Sequence, residues 1–135
     1  MRKAFAMLAA LLVLAVVTQF FLAASGAFDP APKDESFEPH RALGYGILLF
    51  AVLLTIVAAL ARMPGRLIGM TGLVAGLTFV QSLIRIVADA AADTGTTAGQ
   101  FIFGLHAVNG LAIMALAGSI ARQARALSRP AAIAS

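Results

Sequence analysis

Residues 42–61 read ALGYGILLFAVLLTIVAALA, twenty positions without a charge, entered through His40-Arg41 and left at Arg62. About 20 apolar residues cross a bilayer core as a helix, so this stretch is a membrane span. Stretches of similar length and character lie at 5–24, 67–88 and 101–120. With 61% hydrophobic and 12% charged residues, and a mean hydropathy of +0.94, a membrane protein is the class that fits. The expected fold is all-α: an integral membrane four-helix up-and-down bundle. It occupies residues 1–126 as one domain, with a tail at 127–135.

The polar segments separate by sign. Arg2, Lys3, Arg62, Arg66, Arg122, Arg125 and Arg129 fall on one side of the four spans, with no acid among them. All six acids (Asp29, Asp34, Glu35, Glu38, Asp89 and Asp93) fall on the other side, together with Lys33, Arg41 and Arg85. The positive-inside rule then places both termini in the cytoplasm and the chain in the bacterial inner (plasma) membrane. The pI near 10.8 is therefore a topology signal, and no nucleic-acid partner is expected. The alternative for span one is a cleaved signal peptide ending in the small residues 24–27. Its apolar core of ~20 residues exceeds the usual signal h-region, which favours a retained helix. The chain has no cysteine, which excludes disulfides, thiolate metal sites and thioether-linked haem.

Pro39 suits the first turn of a helix and starts span two near Glu38. Pro64-Gly65 forms the turn into span three, and Thr96 or Thr97 caps span four. Gly72-Leu-Val-Ala-Gly76 is a GxxxG, a mark of close helix packing within or between chains. A weak repeat relates the halves. Val16-Val-Thr-Gln19 matches Thr78-Phe-Val-Gln81, and His40-Arg-Ala-Leu-Gly44 matches His106-Ala-Val-Asn-Gly110.

His40 and His106 are the only histidines, and an imidazole in or at the rim of a bilayer is costly enough to mark a site. Gln19, Gln81, Arg85, His106 and Asn109 fall in the outer halves of their spans, with His40 and Arg41 at the outer rim. Two imidazoles on facing helices are the axial pair of b-type haem. Gly44 and Gly110, one turn from each histidine, would leave room for the macrocycle. Arg41 and Arg85 could neutralise its propionates. Gln19, Gln81 and Asn109 could bond the free imidazole nitrogens or the propionates.

Plainer readings apply to the same residues. His40 can be interfacial, His106 an interhelical hydrogen bond, Arg85–Asp89 an i,i+4 ion pair, and Gln and Asn simple helix glue. Depth also matters, because His40 lies 22 residues before Arg62 and His106 only 16 before Arg122. At 1.5 Å per residue, helices ending level at those arginines would offset the histidines by ~9 Å.

Four spans, histidines on the second and fourth, and Glu38-Pro-His40-Arg41 resemble one four-helix half of the haem A synthase family. That family holds haem between paired histidines in each half, so the resemblance implies a cytochrome-b-like bundle. With only one half present, the synthase's oxidative chemistry is not implied. The segments His40–Gly44 and Leu105–Gly110 resemble more closely a group of small four-span proteins of high-GC bacteria, which implies no function.

The leading expectation is a small membrane haem b protein, acting in electron transfer or haem handling, with no catalytic residue assigned. The alternative is a cofactor-free subunit or assembly factor, either as a homo-oligomer or within a larger membrane complex. A transporter is less favoured, because the spans show neither a polar relay through the cytoplasmic half nor a broken helix.

Overall fold

The computed structural model describes residues 1–93, 95 and 97–129. Its helices are α1 (Arg2–Phe28), the single turn α2 (Lys33–Ser36), α3 (Glu38–Leu60), α4 (Gly65–Ala92) and α5 (Ala98–Ser128), and no strand occurs among the described residues. In hydrocarbon, a helix satisfies every internal backbone group within its own segment, which is why uninterrupted apolar runs adopt it. Four helices are long and apolar enough to cross a membrane. The fold is an all-α bundle of four long helices.

The helices outrun the apolar stretches that announce them. The difference is greatest in α5, where Arg122 and Arg125 are helical and the helix continues to Ser128. A charged residue marks where a span leaves the hydrocarbon, and the helix is free to continue into water. Thr97 occupies the N-cap position of α5, but its side chain makes no capping bond. Thr96, the other candidate cap, lies outside the described residues, as do tail residues 130–135.

Around the bundle, α1 packs against α3 and α5, and α4 packs against the same two. The pairs α1/α4 and α3/α5 face each other across the diagonals without close backbone approach among the described residues. At the basic end the core is apolar and dense. Phe5, Leu12, Leu54, Leu67, Val74 and Ile120 are its largest fully buried apolar side chains. Between them Ala9, Ala51, Ala58, Ala117 and Ala124 are completely buried, and these small residues let the helices approach closely. Leu14, Phe21, Leu49, Leu60 and Leu105 lie on the outside, suited to lipid contact.

The turns have local causes. After Leu60 the chain closes in a Schellman arrangement, with Met63 N–H donating to the Ala58 carbonyl and Arg62 N–H to that of Ala59. Arg62 sits at φ 50° where glycine is usual, and Met63 is buried beneath the turn. At the acidic end α1 stops before Asp29, where Pro30 and Pro32 prevent continuation. The Lys33 ammonium donates to the free end carbonyls of Gly26 and Ala27 at 3.4 and 3.1 Å. The connection between α1 and α3 thus contains the helical turn α2, with Ser36 buried and bonded to the carbonyls of Ala31 and Pro32.

Two glycines pinch this end. A Cβ on Gly26 would lie 2.6 Å from the Ser36 carbonyl oxygen, and one on Gly99 2.8 Å from that of Ala88. Both contacts require the absence of a side chain.

Candidate functional site

In the acidic half of the bundle the interior turns polar, and it does so twice in the same way. Gln19 of α1 reaches α3, where its amide nitrogen donates to the main-chain carbonyl of His40 at 2.8 Å. Gln81 of α4 reaches α5, where its amide nitrogen donates to the main-chain carbonyl of His106 at 3.0 Å. The glycine one turn beyond each histidine makes room for the incoming amide. A Cβ on Gly44 would stand 3.1 Å from Gln19 Nε2, and one on Gly110 3.4 Å from Gln81 Nε2. The repeat seen in the sequence is therefore a repeated interlock of glutamine, histidine backbone and glycine. The space at these glycines, which the sequence reading assigned to a macrocycle, holds a glutamine amide in each half.

The two units differ around the rings. His40 Nδ1 lies 3.1 Å from the Gln19 carbonyl oxygen, an acceptor, which assigns the ring proton to Nδ1. His40 Nε2 then carries the lone pair and accepts from Gln19 Nε2 at 3.3 Å. Securing one ring nitrogen on a backbone carbonyl is how metal-binding histidines are usually held, with the other nitrogen left to ligate. His106 Nδ1 is buried near the Gln81 main chain without a well-formed hydrogen bond. Gln19 Oε1 is also buried without a partner. The second half has a bond the first lacks. The Asn109 amide donates to Gln81 Oε1 at 3.0 Å and to the Leu77 carbonyl at 2.9 Å, tying α5 to α4.

The rings meet across the α3/α5 diagonal. Their centroids are 6.2 Å apart, with the planes inclined at 46°. A metal–imidazole bond is about 2 Å long, so two imidazoles trans on one metal stand with ring centres about 6 Å apart. The ring separation is of that size, while the His40 Nε2 lone pair is taken by Gln19 Nε2. The expected depth offset is absent, because α5 does not end at Arg122. Counted to the ends of their helices, His40 precedes Leu60 by 20 residues and His106 precedes Ser128 by 22.

Residues 19–89 match a family of unknown function (DUF6220). The chain belongs to that family. The stretch this DUF6220 chain shares with it opens at Gln19 and takes in His40, Gly44 and Gln81, stopping before His106. No curated protein and no solved structure matches the chain.

Two further aromatic residues of this DUF6220 protein complete the cluster. Phe37 meets His40 edge-on at 6.0 Å, and Phe103 stacks on His106 at 5.1 Å with planes 9° apart. Each precedes its histidine by three positions, so the full repeat is Phe-x-x-His-x-x-x-Gly in both halves. Extending the histidine motif by one turn toward the N-terminus would have found them.

The arginines expected to meet propionates already have partners. Arg41 is paired with Asp34, by an ion pair at 3.8 Å and a bond to its main-chain carbonyl. Arg85 pairs with Asp89 at 3.4 Å, one turn along α4. Gly72 faces the Thr55 methyl of α3, so the first glycine of the GxxxG packs inside the chain.

Proposed function

We propose that this protein is a small b-type cytochrome of the bacterial inner membrane, with His40 and His106 as axial ligands of one haem near the outer face and both termini in the cytoplasm. The observation that carries the reading is the meeting of the only two imidazoles, 6.2 Å apart, across a diagonal of the bundle. The Gln19 carbonyl supports it by fixing the His40 proton on Nδ1, so that Nε2 would be the ligating atom once the Gln19 amide, which now bonds it, turns away. The unpartnered Gln19 Oε1 and His106 Nδ1 mark polar capacity beside the rings that the chain itself does not use.

In this reading His40 and His106 would hold the group, with Phe37 and Phe103 packed on the two histidines. Gln19 and Gln81 would turn out of the glycine slots to bond it, and Arg41 and Arg85 would have to exchange Asp34 and Asp89 for its propionates. A haem held this way supplies one-electron transfer or a haem relay. The test is a reduced-minus-oxidised and pyridine haemochrome spectrum of protein purified in mild detergent with haem supplied. An alpha band in the b-haem region is expected, and a colourless protein overturns the reading.

The hydrogen bonds among Gln19, Gln81, Asn109 and the histidine carbonyls favour a second reading, a cofactor-free subunit or assembly factor whose polar cluster only joins helices. There, His40→Ala and His106→Ala would leave folding and any complex intact, and a partner protein would co-purify.

A further inference from the structure

The basic end carries chemistry that the histidine cluster leaves untouched. α5 runs about two turns past Ile120, the last large buried side chain of the core, and lies beside the start of α4. Between them Pro64, Arg66, Leu67, Gln123, Ala126 and Leu127 line an open groove of about 260 Å³. Leu67 is buried and Leu127 half-buried, which gives an apolar floor, while Arg66 stands exposed on the rim. The Gln123 amide is anchored on Met70 Sδ at 3.5 Å.

The charge here is uncompensated. Both ion pairs among the described residues, Arg41–Asp34 and Arg85–Asp89, lie at the opposite end. All seven basic residues of this end lack an acid among them in sequence. A groove where helices leave their apolar spans sits at headgroup depth. Its floor suits hydrocarbon and its rim suits an anion, and basic pockets of this kind bind acidic lipid headgroups.

We propose that this groove binds one anionic glycerophospholipid, with the headgroup phosphate against Arg66 and an acyl chain over Leu67 and Leu127. The site is independent of the histidine cluster.

The test is native mass spectrometry of the delipidated full chain in detergent, titrated with phosphatidylglycerol, phosphatidylcholine of matched chains, or inorganic phosphate. Phosphatidylglycerol should bind with one-to-one saturation, at least several-fold more tightly than phosphatidylcholine, and inorganic phosphate should not displace it at millimolar concentration. Arg66→Gln should weaken that binding about fivefold. Arg66→Lys should retain it, and Arg62→Gln, outside the groove walls, should change it less than twofold. Circular dichroism checks that each variant keeps its helix content. Equal binding of the two lipids, or equal effects of Arg66→Gln and Arg62→Gln, overturns the proposal, since only diffuse attraction would remain. Displacement by inorganic phosphate overturns the role of the acyl chain.

Discussion

His40 and His106 stand with ring centres 6.2 Å apart although α3 and α5, the helices that carry them, have no close backbone approach. A diagonal contact of this kind crosses the centre of the bundle. The rings differ in their hydrogen bonds, but whatever occupies the space between them touches both.

The first prediction concerns joint failure. If one haem bridges the pair, His40→Ala and His106→Ala should each abolish the low-spin spectrum. The double variant should look like either single one, because the ligands act as a unit. The check is haem content and absorbance of the three proteins purified in parallel. Haem retained by His40→Ala but lost by His106→Ala would show that His40 is not a ligand.

The second concerns the hydrogen bonds between helices. Gln81 and Asn109 bond each other, whereas Gln19 and Asn109 belong to different units. Gln81→Ala and Gln19→Ala should each destabilise the bundle by about 1 kcal/mol, the usual size for such bonds in membranes. In double-mutant cycles, Gln81 with Asn109 should show coupling and Gln19 with Asn109 should be additive. Denaturant unfolding in detergent measures both.

The third ranks four glycines. Gly26→Ala and Gly99→Ala force a Cβ into backbone atoms at 2.6 and 2.8 Å, so each should cost about 1–3 kcal/mol. Gly44→Ala meets only the end of the Gln19 side chain and should cost less, and Gly76→Ala, with open space beside it, should be near neutral. Thermal unfolding in detergent gives the order.

The fourth tests orientation. The chain has no cysteine, so a single introduced thiol is labelled unambiguously. Glu35→Cys, at an exposed acidic-end position, should react with impermeant reagent in intact cells, and Arg125→Cys, exposed at the basic end, should not. Labelling of Arg125→Cys alone would indicate the inverted topology. Ser36 is a poor probe site, because it is buried and hydrogen-bonded.

The four spans were legible because an apolar run of bilayer length has one low-energy conformation, and Pro39 and Pro64-Gly65 fix where two of them begin. The helix ends were less legible. Arg122 looks like a terminus in a hydropathy profile, yet nothing in an arginine stops a helix, and α5 continues to Ser128. That Gln19, His40, Gln81, His106 and Asn109 gather at one end was legible from the repeat and the one-sided polar distribution, whereas Phe37 and Phe103 were missed and Arg41 and Arg85 pair with acids instead. The internal bonding of the site was not legible. That Gly44 and Gly110 admit the Gln19 and Gln81 amides depends on which helices are neighbours, and composition does not specify adjacency.

The duplicated interlock also bears on how such a pair arises. The hairpins α1/α3 and α4/α5 run in the same sense and carry matching glutamine, phenylalanine, histidine and glycine positions, an arrangement with a pseudo-dyad along the bundle. Positions near such an axis face their own counterparts across it. A histidine on the inner face of one hairpin therefore meets its counterpart from the other. The opposed imidazoles accord with that symmetry, and Asn109, which bonds Gln81 in one half only, breaks it.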